Sequence, residues 1–152
     1  MLFRSLVLKE QLLKPDAYNA WLGFSVLDDS PEVGAVSPHS PASEAGLRPG
    51  DVVIAINGQE VQDMNSFRFQ RLEVQAGQDV QVTVRRGRKE REFSLRSWDW
   101  VDGLIYEDLG LTVERYVAGR RPYVQINRVR PDGPADQIGL APGDIRSEEH
   151  TS

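Results

Sequence analysis

SPASEAGLRPGDVVIAING, residues 40–58, decides how the chain is read. Pro41 has a fixed φ and no N–H, which suits the first position of a short helix. Gly46 stops that helix, because a residue without Cβ takes the left-handed C′ conformation at no steric cost. Pro49-Gly50 makes the next turn, Pro presetting one dihedral and Gly supplying the other. Asp51 to Ile56 is a nearly continuous apolar run, the mark of a strand covered on both faces. Asn57-Gly58 closes the stretch with the strongest short hairpin signal there is.

The pattern occurs twice. GPADQIGLAPGDI, residues 133–145, repeats Pro41, Ala42, Gly46, Leu47, Pro49, Gly50 and Asp51 at Pro134, Ala135, Gly139, Leu140, Pro142, Gly143 and Asp144. Each match lies 93 positions downstream of its partner. One offset held across all these positions reads as duplication of a domain-sized unit, longer than a solenoid repeat.

The SPA-x-x-AGL-x-PGD…ING run resembles the core of a bacterial PDZ domain, and the order of elements is similar to the circularly permuted PDZ of the HtrA/Deg serine proteases. The resemblance covers residues 20–95 in full and 107–145 in part. It implies an α+β fold, a partly open β-barrel or sandwich of five to six strands capped by two helices, followed by a truncated second unit. The organisation expected is a lead-in over 1–19, a first domain over 20–96, a linker over 97–103, a truncated second domain over 104–145 and a tail over 146–152.

With 39% hydrophobic and 27% charged residues the composition is that of a globular protein. A net charge of −5 argues against nucleic acid or an anionic membrane as the main partner. No apolar run approaches the roughly 18 residues of a membrane helix. There are no cysteines, which excludes disulfides and thiolate metal sites and decides nothing between cytoplasm and periplasm. Met1–Ser5 and Arg146–Ser152 resemble translated ends of a short-read sequencing adapter. They are set aside from fold reasoning, and residues 6–145 are read as part of a longer protein. Leu6 to Lys14 reads as a short helix ending before Pro15, similar to the helical linker that precedes the first PDZ in HtrA-like proteins.

Trp21-Leu22-Gly23-Phe24 is the leading functional candidate. The resemblance makes it the carboxylate-binding loop of a PDZ domain. A peptide's terminal carboxylate needs several converging N–H donors, and a loop containing Gly can turn them inward as a nest. Leu22 and Phe24 would wall a pocket for the last side chain. Phe24, Ser25 and Val26 would offer an open strand edge to an extended peptide. Val33 to Val36 is the return strand, and Asp28, Asp29 and Glu32 read as a solvated acidic turn without calcium-loop spacing. Asp63 is an N-cap for a helix over about 64–75, with Met64, Phe67 and Val74 on one face and Phe69, Leu72 and Ala76 on the other. By position, Gln70 and Arg71 are candidate groove residues. Val80, Val82 and Val84 share one face of a half-buried strand. The basic tip from Arg85 to Lys89 has no aromatic platform for nucleic acid. Ser97 to Gly103 reads as the junction, with Trp98 and Trp100 packing it onto one domain. Leu109-Gly110-Leu111 repeats the loop pattern weakly, with Asp108 in the aromatic place. The extra residues between Gly110 and Pro134 fall in the hairpin from Val117 to Pro122.

No chemistry is legible. The chain has two histidines, His39 in a turn and His150 in the adapter-like tail, and no Gly-x-Ser-Gly surrounds any serine. No phosphate loop or zinc spacing occurs, and no cofactor or metal is expected. The expectation is a peptide-binding module that recognises C-termini or extended segments by β-strand addition, with peptides, protein C-termini and unfolded polypeptide as its partners. The resemblance implies a parent that is an HtrA-like serine protease of the periplasm or envelope, itself able to be a homo-oligomer. A non-catalytic scaffold or secretion component and a membrane metalloprotease with inserted PDZ domains stay open as alternatives. A Gly-x-Ser-Gly motif upstream would select the first and His-Glu-x-x-His the last.

Overall fold

The computed structural model describes residues 19–147, with the side chains of 146 and 147 excepted. The helix expected over residues 6–14 lies outside that range. The chain divides into two compact units, one up to Trp100 and the other from Val101.

In the first unit the elements follow as β1 (Ala20–Trp21), β2 (Phe24–Leu27), β3 (Ser30–Val36), α1 (Pro41–Ala45), β4 (Val52–Ile56), β5 (Gln59–Glu60), α2 (Met64–Glu73), β6 (Asp79–Arg86), β7 (Lys89–Arg96) and β8 (Trp98–Asp99). The main sheet runs β2-β3-β4-β6-β7, with β5 paired to β4 off that path. It does not close into a barrel: β2 and β7 are its two edges among the described residues. β1 and β8 make a separate two-stranded ribbon.

The local chemistry is what the run at 40–58 dictates. Ser40 caps α1 by accepting from the Ser43 amide, and Gly46 ends it at φ +101°. Asn57 and Gly58 both have positive φ, the dihedral requirement of the tight hairpin joining β4 and β5. α2 opens with a reciprocal cap in which Asp63 accepts from the Ser66 amide while Ser66 Oγ accepts from the Asp63 amide. Phe67 and Val74 are buried, Met64 packs beside them, and Phe69 and Leu72 face solvent, as the helical periodicity requires. Val80, Val82 and Val84 have no exposed surface, and each contributes about 1.5–3 kcal/mol of transfer free energy.

Asp51 is the polar exception in this core. Its carboxylate, 2% exposed, takes two bonds of 2.7 Å from the Arg86 guanidinium and one of 2.9 Å from the Arg48 amide. Arg86 in turn donates to the Gly46 carbonyl and lies 5.4 Å over the Phe93 ring. Burial pushes the Asp51 carboxyl up, but the Arg86 and Arg48 bonds together outweigh it and hold it below the usual carboxylate range.

The second unit contains α3 (Trp100–Leu109, whose first residue belongs to the first unit), β9 (Leu111–Ala118), β10 (Arg121–Val129), α4 (Pro134–Gln137) and β11 (Ile145–Ser147), with sheet order β11-β10-β9. It closes the same ring of backbone bonds as the first. Leu47 N–H to Ala42 O, Gly50 N–H to Val33 O and Val33 N–H to Asp51 O recur as Leu140 to Ala135, Gly143 to Ile126 and Ile126 to Asp144, all between 2.7 and 3.0 Å. The Ser37 N–H to Gly23 O bond recurs as Arg130 to Gly110, so the inserted residues do fall in the β9–β10 hairpin.

Two boundaries move. The stretch read as a linker over 97–103 is folded: Ser97 is buried, bonded to the Gln78 carbonyl and the Gln75 carbonyl, Trp98–Asp99 pairs with β1, and α3 starts at Trp100. β11 runs two residues into the stretch read as an adapter-like tail, since strand pairing uses backbone groups that every residue carries.

Two outcomes follow. Asp51→Ala strands the Arg86 guanidinium and the Arg48 amide and lowers stability by about 2–4 kcal/mol in urea unfolding. Because the folded carboxyl lies below its unfolded value, the contribution of Asp51 is complete above the unfolded pKa and is lost as pH falls through the folded one; Asp51→Asn removes that part of the acid dependence. Second, among the described residues the first core has fourteen buried apolar side chains and the second has Leu111, Ile126 and Ala135. Amides of β9 and β10 therefore exchange at least about tenfold faster than those of β4 and β6. Equal protection would contradict this.

Candidate functional site

The loop between β1 and β2 is fixed from three sides. The Leu22 carbonyl accepts from the Ala42 amide at 3.0 Å, and the Gly23 carbonyl accepts from the Ser37 amide at 2.8 Å and from Ser40 Oγ at 3.3 Å. Leu22 is fully buried in the core. Below the loop, Arg71 of α2 reaches back and donates from Nη2 to the Ala20 carbonyl at 3.1 Å. Trp21 packs on Trp98 with ring centroids 5.0 Å apart. The carbonyls of the loop are thus committed inward. The amides of Leu22 and Gly23, by contrast, have no acceptor among the described residues.

Two successive amides without an acceptor are unusual in a well-ordered turn, because backbone N–H groups seldom go unpaired. Gly23 holds φ at +87°, in the left-handed region that a residue without Cβ reaches at no steric cost. The position admits no other residue. A Cβ there would fall on Cβ and Oγ of Ser40.

β2 leads directly out of this loop. Phe24 and Val26 are half-buried and pack against the core, while Ser25 and Leu27 are exposed. Among the described residues β2 pairs with β3 alone, leaving its other row of N–H and C=O groups free. At the far end of β2 a cleft of about 450 Å³ opens between the β2–β3 turn and the start of α2. Asp28, Asp29, Met64, Asn65 and Arg68 are among its walls.

The residues read from sequence divide accordingly. Trp21, Leu22, Gly23, Phe24, Ser25 and Val26 are brought together as loop and edge. Gln70 is half-buried and is not among the residues lining the cleft. Arg71 is not a groove wall: it is 3% exposed, with its guanidinium turned under the loop to Ala20. The helix shows the cleft Met64, Asn65 and Arg68 instead, because the helical repeat carries Arg68 round to the same side as Met64. Ser40 was also missed. Its double service as helix cap and loop support needs two segments brought together, and only the helix cap is written in local sequence.

Of the equivalent residues in the second unit, Leu109 ends α3, Gly110 has φ +73°, and Leu111 begins β9. Here the Gly110 amide donates to the Tyr106 carbonyl at 2.9 Å, capping α3. The pair of unclaimed amides seen at Leu22 and Gly23 therefore has no counterpart in the second unit, since the helix preceding the loop consumes the donor.

Against known proteins, the PDZ-domain family profile matches residues 21–96. The chain is 30% identical over 119 residues to a probable periplasmic serine protease do/HhoA-like of Haemophilus influenzae, covering 74% of this chain and 26% of that protein. It is 29% identical over 117 residues to the periplasmic serine endoprotease DegP of Escherichia coli K12, covering 74% and 25%. The chain thus spans about a quarter of the length of these relatives. Among solved structures, an HtrA-type protease AlgW with decapeptide aligns at TM-score 0.48 and 25% identity, over 55% of this chain and 30% of that one.

Gly23→Ala forces a side chain into the left-handed region and onto Ser40, with a loss of at least about 2 kcal/mol in thermal or urea unfolding. Ser40→Ala relieves the clash with the hydroxyl alone and recovers less than half of that loss. Full recovery would show that the backbone at residue 23 carries no constraint of its own.

Proposed function

The chain belongs to the PDZ-domain family, and from that premise we propose that residues 20–96 form a receptor for the C-terminal end of another polypeptide. The observation that carries the reading is the continuity of two unclaimed amides, at Leu22 and Gly23, with the unpaired edge of β2. A terminal carboxylate supplies the acceptor the amides lack. The residues behind it supply a strand that pairs with Phe24–Leu27. Charge-assisted bonds from backbone N–H to carboxylate are about twice as strong as neutral ones, so the terminus itself is the chief determinant of recognition. Phe24 and Val26, half-buried beside the edge, favour an apolar last side chain.

Residues 104–145 are proposed as the beginning of a second unit of the same kind, with Leu109, Gly110 and Leu111 in the loop position. A carboxylate there finds the Gly110 amide already bonded, so the first unit is the receptor. For the parent we propose an HtrA-like serine protease of the periplasm or envelope, in which this module selects exposed C-termini of unfolded polypeptides. The names of the relatives support that reading for the longer protein.

The test is a titration of a peptide library in paired forms, free acid and C-terminal amide. Affinities are expected to be on the order of micromolar, since one added strand and one pocket must offset the ordering of a flexible peptide. Amidation weakens each binder at least about tenfold, the size of one charge-assisted bond. Equal binding of acid and amide across all binders would remove the carboxylate role of the loop.

A further inference from the structure

The cleft beyond β2 contains a buried polar group that the peptide-receptor reading does not use. Arg68 lines it, and the Arg68 Nε is shut off from solvent with no hydrogen-bond partner among the described residues. The guanidinium also makes no ion pair among those residues, although Asp28, Asp29 and Asp63 share the cleft with it. Asp63 is engaged: its carboxylate accepts from the Ser66 amide and closes the N-terminus of α2. That leaves a buried N–H lacking an acceptor, with two unpaired carboxylates near it.

We propose that this cleft reads an amide side chain, Asn or Gln, located three to five residues before the C-terminus of the bound peptide. The proposal rests on the peptide-receptor reading. A chain added antiparallel to β2, with its carboxylate at Gly23, advances about 3.3 Å per residue. The four residues Phe24 to Leu27 therefore carry it about 13 Å, to Asp28 and Asp29. A carboxamide is the neutral group that both accepts and donates. Its carbonyl answers Arg68 Nε–H, and its NH₂ faces Asp28 and Asp29. A carboxylate would answer Arg68 but meet three like charges with one opposite. A lysine would suit the aspartates and leave the Arg68 N–H as it was, beside a like charge.

The experiment uses the whole chain and a fluorescein-labelled decapeptide with a free C-terminal Val, the guest residue at the third, fourth or fifth place before the end being Gln, Ala, Glu or Lys. At one of those places Gln binds about five- to tenfold tighter than Ala, as one buried hydrogen bond predicts. Glu falls behind Gln at low salt, and Asp28→Asn with Asp29→Asn narrows that gap. In Arg68→Met the advantage of Gln over Ala drops below about twofold, while the difference between free and amidated termini stays. Arg68→Lys keeps the charge without the Nε–H and behaves like Arg68→Met. Melting curves of these variants matching the parent's show that the fold is unchanged; if Arg68→Met melts early, Arg68→Lys alone decides. An undiminished Gln advantage in the decisive variant, or Lys outbinding Gln at all three places, overturns the proposal. Host peptides that bind equally as acid and amide, or not at all, overturn the receptor reading first and this one with it.

Discussion

Everything at the site depends on the closeness of Gly23 to Ser40. No Cβ fits between them, and the Ser40 hydroxyl spans the gap to the Gly23 carbonyl while accepting from the amide of Ser43. One buried side chain thereby ties the start of α1 to the loop before β2. The loop's carbonyls are held by Ser37, Ser40 and Ala42. Holding the Leu22 carbonyl also fixes the Gly23 N–H on the opposite side of the same planar peptide, where it meets no acceptor among the described residues.

The second unit serves as an internal control on that argument. It repeats the ring of bonds around the Pro-Gly-Asp turn and the carbonyl bond to its loop glycine. At the position of Ser40, 93 residues on, it has Gly133, and α4 accordingly has no side-chain cap. Its loop follows a ten-residue helix, and the Gly110 amide completes that helix. The same glycine, at a similar φ, thus leaves a free donor in one unit and a satisfied one in the other. The element that precedes the loop decides which: a two-residue strand in the first, a helix in the second.

Much of this was legible in the sequence because its signals are local. Gly46, Asn57 and Gly58 each take the positive φ their places require, and Pro41 opens α1. The period of Val80, Val82 and Val84 gives a face without reference to anything else. Arg71 was read wrongly for the opposite reason: an arginine on a helix is exposed by default, and its burial here depends on the carbonyl of Ala20, 51 residues away. Arg68 was overlooked on the same grounds. The stretch after Ser97 read as a linker because its aromatic residues show no period, whereas Trp98 gains its order from Trp21 across a ribbon of two residues.

Among the described residues the main sheet has two edges, and their side chains differ in how they would meet an added strand. β7 reads Lys89-Glu90-Arg91-Glu92-Phe93-Ser94-Leu95-Arg96, with charges of both signs exposed along most of its length. Bringing another chain flush against such an edge sets charges of both signs against the incoming strand and strips their hydration, a device that keeps edges apart. β2 carries Phe24-Ser25-Val26-Leu27 and no charge. An uncharged edge invites aggregation, yet this one is four residues long and shifts register twice against β3. It can hold a short extended segment but offers no long flat template for a copy of itself. Shortness limits the affinity that backbone pairing alone can supply.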